Sequence, residues 1–125
     1  MSAGDLTVKE SDDAITIFNG ESTVLVYNKA PTPDAAENDP VYTRTGYIHP
    51  VFTPSGKQVT DDFAPDHPHQ HGLFFAWTKT KYERRAPEFW NEKIEACKVH
   101  YDKTIKLIEE GEEIGFVVKH RWEDL

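Results

Sequence analysis

Three histidines and three aspartates lie within the stretch Asp61–Gly72. Imidazole and carboxylate groups transfer protons near neutral pH and bind metal ions, so the stretch carries the side chains that catalysis or metal binding needs. Alternate residues of an extended chain point to the same side, which would bring His67, His69 and His71 together. We therefore predict a functional site here, with His67, His69, His71 and Asp62 as the candidate catalytic residues.

The histidine spacing supports three different interpretations. Imidazoles two residues apart can share a divalent transition metal, and the ligands would then be His67, His69 and His71 with the carboxylate of Asp66. Without a metal, the same histidines can bind sugar hydroxyls and act as general acid and base. In a purely structural role they would cap turns and bond to backbone groups. The residues alone leave all three open.

A second, weaker cluster precedes this stretch. Arg44 can hold an anionic or carbonyl group by a forked contact, and Tyr47 and His49 share one face of a predicted strand. We place these three residues at the rim of the site as substrate-binding candidates. Trp77 and Trp90 are further candidates, because an indole ring can form the floor of a sugar pocket, although packing in the core is the favoured role for Trp77.

Three other residues with reactive groups are expected to be structural. His120 falls on the apolar face of the last predicted strand, where a hydrogen-bonded core histidine is expected. His100 falls on a polar face and should meet solvent. Cys97 is the one cysteine of the chain, which excludes an internal disulfide and favours a small, partly buried hydrophobe.

The first half of the chain indicates β-structure. Alternating apolar and polar residues predict three strands in the first thirty residues, with Asn19-Gly20 as a tight turn. The proline-rich segment Ala30–Pro40 predicts an exposed loop. A hairpin follows, with strands Val41–Phe52 and Lys57–Thr60 around a Thr53–Gly56 turn. Pro50 inside its first strand indicates a sheet edge or a bulge.

The second half is less uniform. Leu73–Thr78 is apolar at successive positions, which predicts a strand buried on both faces. From Glu88 the spacing of apolar residues fits either a helix or a strand, and β-favouring side chains favour a strand from Lys98 onward. Glu109–Glu113 predicts a turn, and a last strand places Phe116, Val118, His120 and Trp122 on one face.

Length and charge narrow the class of protein. The length of 125 residues predicts one domain, and the strand pattern predicts that this domain is an all-β antiparallel sandwich. The net charge of −8 excludes a nucleic-acid backbone as partner. It contains no apolar run long enough to span a membrane. We expect a cytoplasmic protein, or a periplasmic one if a leader has been removed. The last strand predicts a missing C-terminal portion or an oligomer, because one of its edges is left unpaired.

Several motifs carry a resemblance to a known family. They are Arg44–Pro50, Thr53–Gly56, Thr60–Phe63 and Asp66–Trp77. In these motifs the chain resembles the N-terminal portion of the bacterial PmoA-type family, which is also labelled methane oxygenase. The family pattern has two histidines after His-Pro, and here Gln70 replaces the second, so no role carries over to that position.

The resemblance implies a fold similar to the galactose-mutarotase supersandwich, with the histidine loop in a carbohydrate site. We therefore predict first a protein that binds or acts on a carbohydrate or sugar derivative, and that as an enzyme would be an isomerase, hydrolase or lyase. The family label suggests an alternative, a metal-dependent and oxidative enzyme, although the chain lacks the long apolar helices of a membrane subunit. The third alternative is a non-catalytic β-sandwich interaction domain.

Overall fold

The computed structural model describes residues 5–33, 35, 43–76, 81–85, 89 and 97–124, apart from the side chains of Pro68 and His69. All regular structure in these residues is β, and every strand pair is antiparallel, which confirms the predicted all-β class. No helix capable of crossing a membrane occurs in the described part of the chain. The strands are β1 Leu6–Glu10, β2 Ala14–Asn19, β3 Ser22–Asn28, β4 Tyr47–Val51, β5 Asp62–Ala64, β6 His67–His71, β7 Cys97–Ile108 and β8 Gly115–Asp124.

The first four strands form one sheet in chain order, so the predicted meander is confirmed. Ile15 and Ile17 of β2 are buried and alternate with polar residues, as expected for a strand with one face on the core. The link from β2 to β3 is a two-residue turn after Asn19, in which Gly20 has a φ of +61°. A positive φ is where glycine is favoured over other residues.

Strand β4 lies at the edge of this sheet, and the ladder between β3 and β4 shifts register between Leu25 and Tyr27. The prediction of an edge or a bulge at Pro50 is therefore confirmed. The strand begins at Tyr47 rather than at the predicted Val41, and Gly46, with a φ of +74°, interrupts the extended chain just before it. Val41 itself lies outside the described residues.

The turn at Thr53–Gly56 is confirmed, since the Gly56 amide donates to the Thr53 carbonyl at 2.9 Å. The predicted return strand Lys57–Thr60 is wrong, because only an isolated bridge between Phe52 and Gln58 forms there. The Thr60 hydroxyl accepts the Val51 amide at 3.1 Å and so takes a donor that a continued ladder would use.

A long hairpin of β7 and β8 forms the second layer. Phe116 and Val118 of β8 pack against the buried cluster of Val8, Ile15, Ile17 and Tyr27 from the first sheet. The strand interpretation after Lys98 is confirmed, and the predicted turn at Glu109–Glu113 lies between the two strands. That this packing belongs to a supersandwich of the galactose-mutarotase type stays a prediction.

The far end of the hairpin carries a second buried cluster of Phe89, Cys97 and Val99, with Trp122 packed against it. Cys97 is fully buried, so it is a small core hydrophobe, and it is more deeply buried than the sequence predicted. Trp122 meets the ring of Phe75 at 5.6 Å, which connects this cluster to the segment that follows β6.

The predicted buried strand at Leu73–Thr78 is wrong in its described part. Leu73 forms a single bridge to Ile48, and residues 74–76 belong to no strand. The side chains of Leu73 and Phe75 are 56% and 62% exposed. Gly72 has a φ of +44°, which ends the extended conformation of β6, so the next residues lose the strand alternation that the sequence suggested. Residues 77–80 lie outside the described residues.

Candidate functional site

The carboxylate of Asp62 is the centre of a buried polar network. The Tyr47 hydroxyl donates to Asp62 Oδ2 at 2.7 Å, and Nδ1 of His71 lies 2.7 Å from Asp62 Oδ1. The side chains of His71 and Asp62 are only 3% and 1% exposed. Because an ionised carboxylate can only accept, both Tyr47 and His71 donate to it. We call these three residues the Asp62 network.

One hairpin and one edge strand build this network. Asp62 and His71 are cross-strand partners in the β5–β6 hairpin, so the segment that the sequence suggested as a loop is a pair of short strands. Tyr47 comes from the edge strand of the four-stranded sheet. Reciprocal backbone bonds of 2.9 and 2.8 Å between Ile48 and Leu73 join the two sheets.

Gly72 allows the close approach of these two sheets. A Cβ atom at this position would lie 2.2 Å from the Ile48 carbonyl oxygen and 2.8 Å from Cβ of His49. No side chain fits such a gap, and the positive φ of Gly72 adds a second reason for glycine. The glycine that follows His71 therefore serves to seat the β6 strand against β4.

Aromatic rings surround the imidazole of His71. Its ring centroid lies 4.8 Å from that of Phe63, 5.1 Å from that of Tyr47 and 6.1 Å from that of Phe74. Phe63 is a buried residue with a φ of +50°, which costs on the order of 1–3 kcal/mol and persists only where surrounding packing enforces it. The apolar surroundings strengthen the hydrogen bonds to Asp62.

This arrangement fixes the chemistry that His71 can perform. With Nδ1–H donated to Asp62, the neutral ring presents Nε2 as its proton acceptor. A carboxylate behind the imidazole also stabilises the imidazolium that forms when Nε2 takes a proton. The same carboxylate–imidazole pair orients histidine ligands at metal sites. The network therefore suits a general acid–base group or a metal ligand.

The sequence suggested that Arg44 and Tyr47 lie at the rim of the site. They lie inside the molecule instead, because they are only 3% and 1% exposed. A guanidinium nitrogen of Arg44 donates to the Phe75 carbonyl, and its Cζ lies 5.1 Å from the centre of the Phe74 ring. Both side chains point into the molecule, where these contacts fix them. His49 is partly buried, and its Nδ1 lies 2.7 Å from the Thr60 hydroxyl.

The segment His67–His71 is extended, which is the condition for its histidines to share one side, but the described histidines occupy different surroundings. His67 and Asp66 are exposed, whereas His71 is buried. Among the described side chains, no group of three His, Cys, Asp or Glu residues is close enough to hold a metal ion. The side chain of His69 and the whole of Trp77 and Trp90 lie outside the described residues, so their predicted roles stay predictions.

The two other histidines occupy the positions that the sequence predicted. His120 is partly buried and hydrogen-bonded, with its Nε2 2.6 Å from the Tyr27 hydroxyl. Burial, with a smaller effect from the charge of Arg44, lowers the pKa of His120, and burial raises the pKa of Tyr27. The pair is therefore neutral near pH 7, with Tyr27 as donor. His100 is partly exposed and pairs with Glu123 at 3.0 Å.

Two cavities are lined by residues that contact the segment after β6. One of about 420 Å³ is lined by aromatic and charged residues that include Tyr82, Phe89 and Trp122. Another of about 220 Å³ is lined in part by Arg44, Lys98 and His100.

Sequence reasoning missed four contributors to the site, namely Thr60, Phe63, Gly72 and Phe74. Gly72 was the one with a usable signal, since a glycine that directly follows a strand histidine suggests a close backbone approach. The other three act through tertiary contacts that no local pattern encodes.

We compared the chain with known protein families, curated proteins and solved structures. Residues 14–125 match a protein family described as "Family of unknown function (DUF6807)". No curated protein and no solved structure matches the chain. The resemblance to the PmoA-type family is not tested by these comparisons and stays a prediction. The family match covers most of the sequence, and the chain accordingly belongs to this family of unknown function.

Proposed function

We propose that the chain binds or acts on a carbohydrate or sugar derivative, with His71 as its acid–base group. The observation that carries the proposal is the buried Asp62 carboxylate, which accepts both Tyr47 Oη and His71 Nδ1 at 2.7 Å. Donation of the Nδ1 hydrogen to Asp62 fixes the tautomer of His71 and the direction of Nε2. Such control is what proton transfer to or from a hydroxyl requires.

The surroundings of His71 suit a sugar. Pyranose rings present an apolar face of C–H groups and an equatorial belt of hydroxyls, so they are bound by aromatic rings next to hydrogen-bonding groups. Phe63 and Phe74 supply the rings. Exposed His67, at the start of β6, supplies a group for ligand hydroxyls. As an enzyme the protein would be of the isomerase, hydrolase or lyase type, because these reactions proceed by proton transfer.

Access to Nε2 requires a small movement in this proposal. The imidazole of His71 is 3% exposed, so a ligand that touches it must displace a neighbouring ring. Phe74 is the ring placed to move, because it is only half-buried and belongs to no strand.

A metal centre is the second candidate, and the Asp62–His71 pair is the observation that favours it. The Asp62 carboxylate accepts the Nδ1 hydrogen of His71 and directs Nε2 away from Asp62, as acidic residues do for histidine metal ligands. His67 and His69, on the same extended strand, would be the other imidazole ligands, with Asp66 as a carboxylate ligand. This site would serve the oxidative chemistry that the family label suggests.

Thermal unfolding with a panel of neutral sugars, sugar acids and sugar phosphates tests the first candidate. We expect at least one sugar to stabilise the wild-type protein and not the His67→Ala/His69→Ala variant. Gln70→Ala is the matched control, because Gln70 is an exposed residue of the same strand and its variant should keep the full response. Metal content, measured by plasma mass spectrometry on the same proteins, tests the second candidate.

The outcomes separate the candidates. A stoichiometric metal that is lost only in the double variant would favour the metal centre. Failure of every sugar to stabilise the metal-free protein would leave a non-catalytic interaction domain as the better account. Unfolding of the double variant would show that the histidines are structural and would end the site assignment.

A further inference from the structure

The charged residues that line the cavity of about 220 Å³ are basic in the part of the chain that the structure describes, whereas the chain as a whole is acidic. The sequence has 22 acidic and 14 basic residues, yet Arg44, Lys98 and His100 line this cavity and no described acidic residue does. Glu123, which pairs with His100, is not among its lining residues. A concave site lined by one sign of charge concentrates ligands of the other sign.

Short contacts fix the walls of the cavity. The Lys98 ammonium donates to the Thr43 carbonyl at 3.1 Å, which ties β7 to the segment before β4. The Tyr101 amide donates to the Thr45 hydroxyl at 2.9 Å and adds a second tie between the same two elements. A cation held in place by such contacts loses little conformational freedom when it binds an anion.

Arg44 connects this cavity to the Asp62 network. Its guanidinium lies 5.1 Å from the centre of the Phe74 ring, and that ring lies 6.1 Å from the ring of His71. Phe74 therefore lies next to both Arg44, which lines the cavity, and His71. A ligand that displaces Phe74 would reach both.

We propose that the ligand of the Asp62 network is a sugar derivative that carries an oxyanion, either a carboxylate or a phosphate, and that this cavity holds that group. The inference rests on the proposed function and names its substrate class. Lysine and arginine bind such oxyanions through charge-assisted hydrogen bonds. The cavity is smaller than the roughly 300–1,000 Å³ that encloses a whole ligand, which fits one charged group of a larger molecule.

Calorimetric titration with matched ligands tests the proposal. The probes are galactose, galacturonate and galactose 6-phosphate at constant ionic strength, with acetate and inorganic phosphate as bare anions. We expect one anionic sugar to bind about tenfold or more tightly than galactose, as charge-assisted bonds provide. Whichever of galacturonate and galactose 6-phosphate binds more tightly identifies the anion as carboxylate or phosphate.

Variants of one strand locate the effect. Lys98→Gln should abolish the preference for the anionic sugar, and Lys98→Arg should retain most of it. Lys103→Gln is the matched control, because it removes the same charge from an exposed position of β7 outside the cavity. If Lys98→Gln fails to fold, His100→Gln replaces it and should weaken the same preference.

Equal binding of galactose and both anionic sugars, unchanged in Lys98→Gln, would overturn this inference and leave the proposed function standing. Binding of the bare anions alone, lost in Lys98→Gln, would retain the anion site but contradict a sugar ligand and with it the proposed function. Absence of all binding would overturn this inference, and the wider sugar panel would decide the proposed function.

Discussion

At the scale of single residues, the chemistry of the protein depends on Asp62. Its carboxylate is almost fully buried and accepts hydrogen bonds from Tyr47 and His71, which belong to different sheets. A buried carboxylate is stable only when such donors replace its water. The residue that orients the proposed acid–base group is therefore also a structural link between the sheets.

Asp62→Asn should lower the free energy of unfolding by about 1–3 kcal/mol, because the amide replaces a charged acceptor and turns one donor toward Tyr47 or His71. Chemical denaturation measures the change. Asp61→Asn is the matched control, since Asp61 is exposed and its Oδ1, which accepts the Asp62 amide at 2.8 Å, is kept in asparagine. Its effect should stay below about 0.5 kcal/mol. Equal effects of the two variants would contradict the buried network.

At the scale of elements, the site depends on how closely the β5–β6 hairpin approaches β4. The bridge between Ile48 and Leu73 holds these elements together, and Gly72 leaves room for it. Neither the bridge nor the gap depends on side-chain chemistry. Backbone contact therefore sets the position of His71 relative to Tyr47.

Gly72→Ala should cost at least about 3 kcal/mol, or prevent folding, because its Cβ would lie 2.2 Å from the Ile48 carbonyl and the sheets would have to separate. Gly56→Ala is the matched control. Gly56 also has a positive φ, of +91°, but no atom lies within 4 Å of the place that a Cβ would take there, so only backbone strain of about 1–2 kcal/mol is expected. Thermal and chemical unfolding compare the two, and similar losses would contradict the close approach.

The elements that sequence reasoning predicted well are those set by local patterns. The meander follows from alternation and from Asn19-Gly20, and β8 follows from the alternation that ends at Trp122. The prediction for Leu73–Thr78 failed in its described part because Phe74 packs against His71 and Phe75 against Trp122, which a strand pattern does not reveal.

The candidate site was predicted in part. Asp62, His71 and Tyr47 were named from the sequence, but as members of a histidine cluster and a rim. Their actual relation arises because Asp62 and His71 are cross-strand partners and because Tyr47 is brought against them by the Ile48–Leu73 bridge. Those are non-local pairings, and residue spacing along the chain does not determine them.

At the scale of the whole molecule, a few contacts hold the two layers together. Apolar side chains of β8 cover the meander, and within that interface the Tyr27 hydroxyl meets His120 Nε2 at 2.6 Å. Because the His120 imidazole is neutral in this interface, protonation must oppose the packing of the layers. The stability of the fold is therefore coupled to pH.

We expect the free energy of unfolding to fall as pH drops below about 6.5, the ordinary pKa of histidine. The folded-state pKa of His120 is lowered, so the unfolded chain takes up a proton that the folded chain does not, and stability is lost on the acid side. One such proton gives a slope of at most about 1.4 kcal/mol per pH unit. Denaturation between pH 8 and pH 5 measures it.

His120→Gln should flatten this slope, because glutamine has no group that titrates between pH 5 and pH 8. An unchanged slope in His120→Gln would show that the interface does not exclude the charged imidazole.

The most direct test of the proposed site is an NMR titration of the imidazole nitrogens with the panel of sugars. We predict that His71 of the ligand-free protein has its proton on Nδ1, and that a sugar which stabilises the protein shifts the Nε2 signal of His71 more than the signals of His120, which lies outside both the Asp62 network and the cavity of about 220 Å³. Such a result would identify His71 as the group that meets the ligand. A sugar that binds without moving the His71 signals, or a proton found on Nε2 in the free protein, would contradict the role of the Asp62 network.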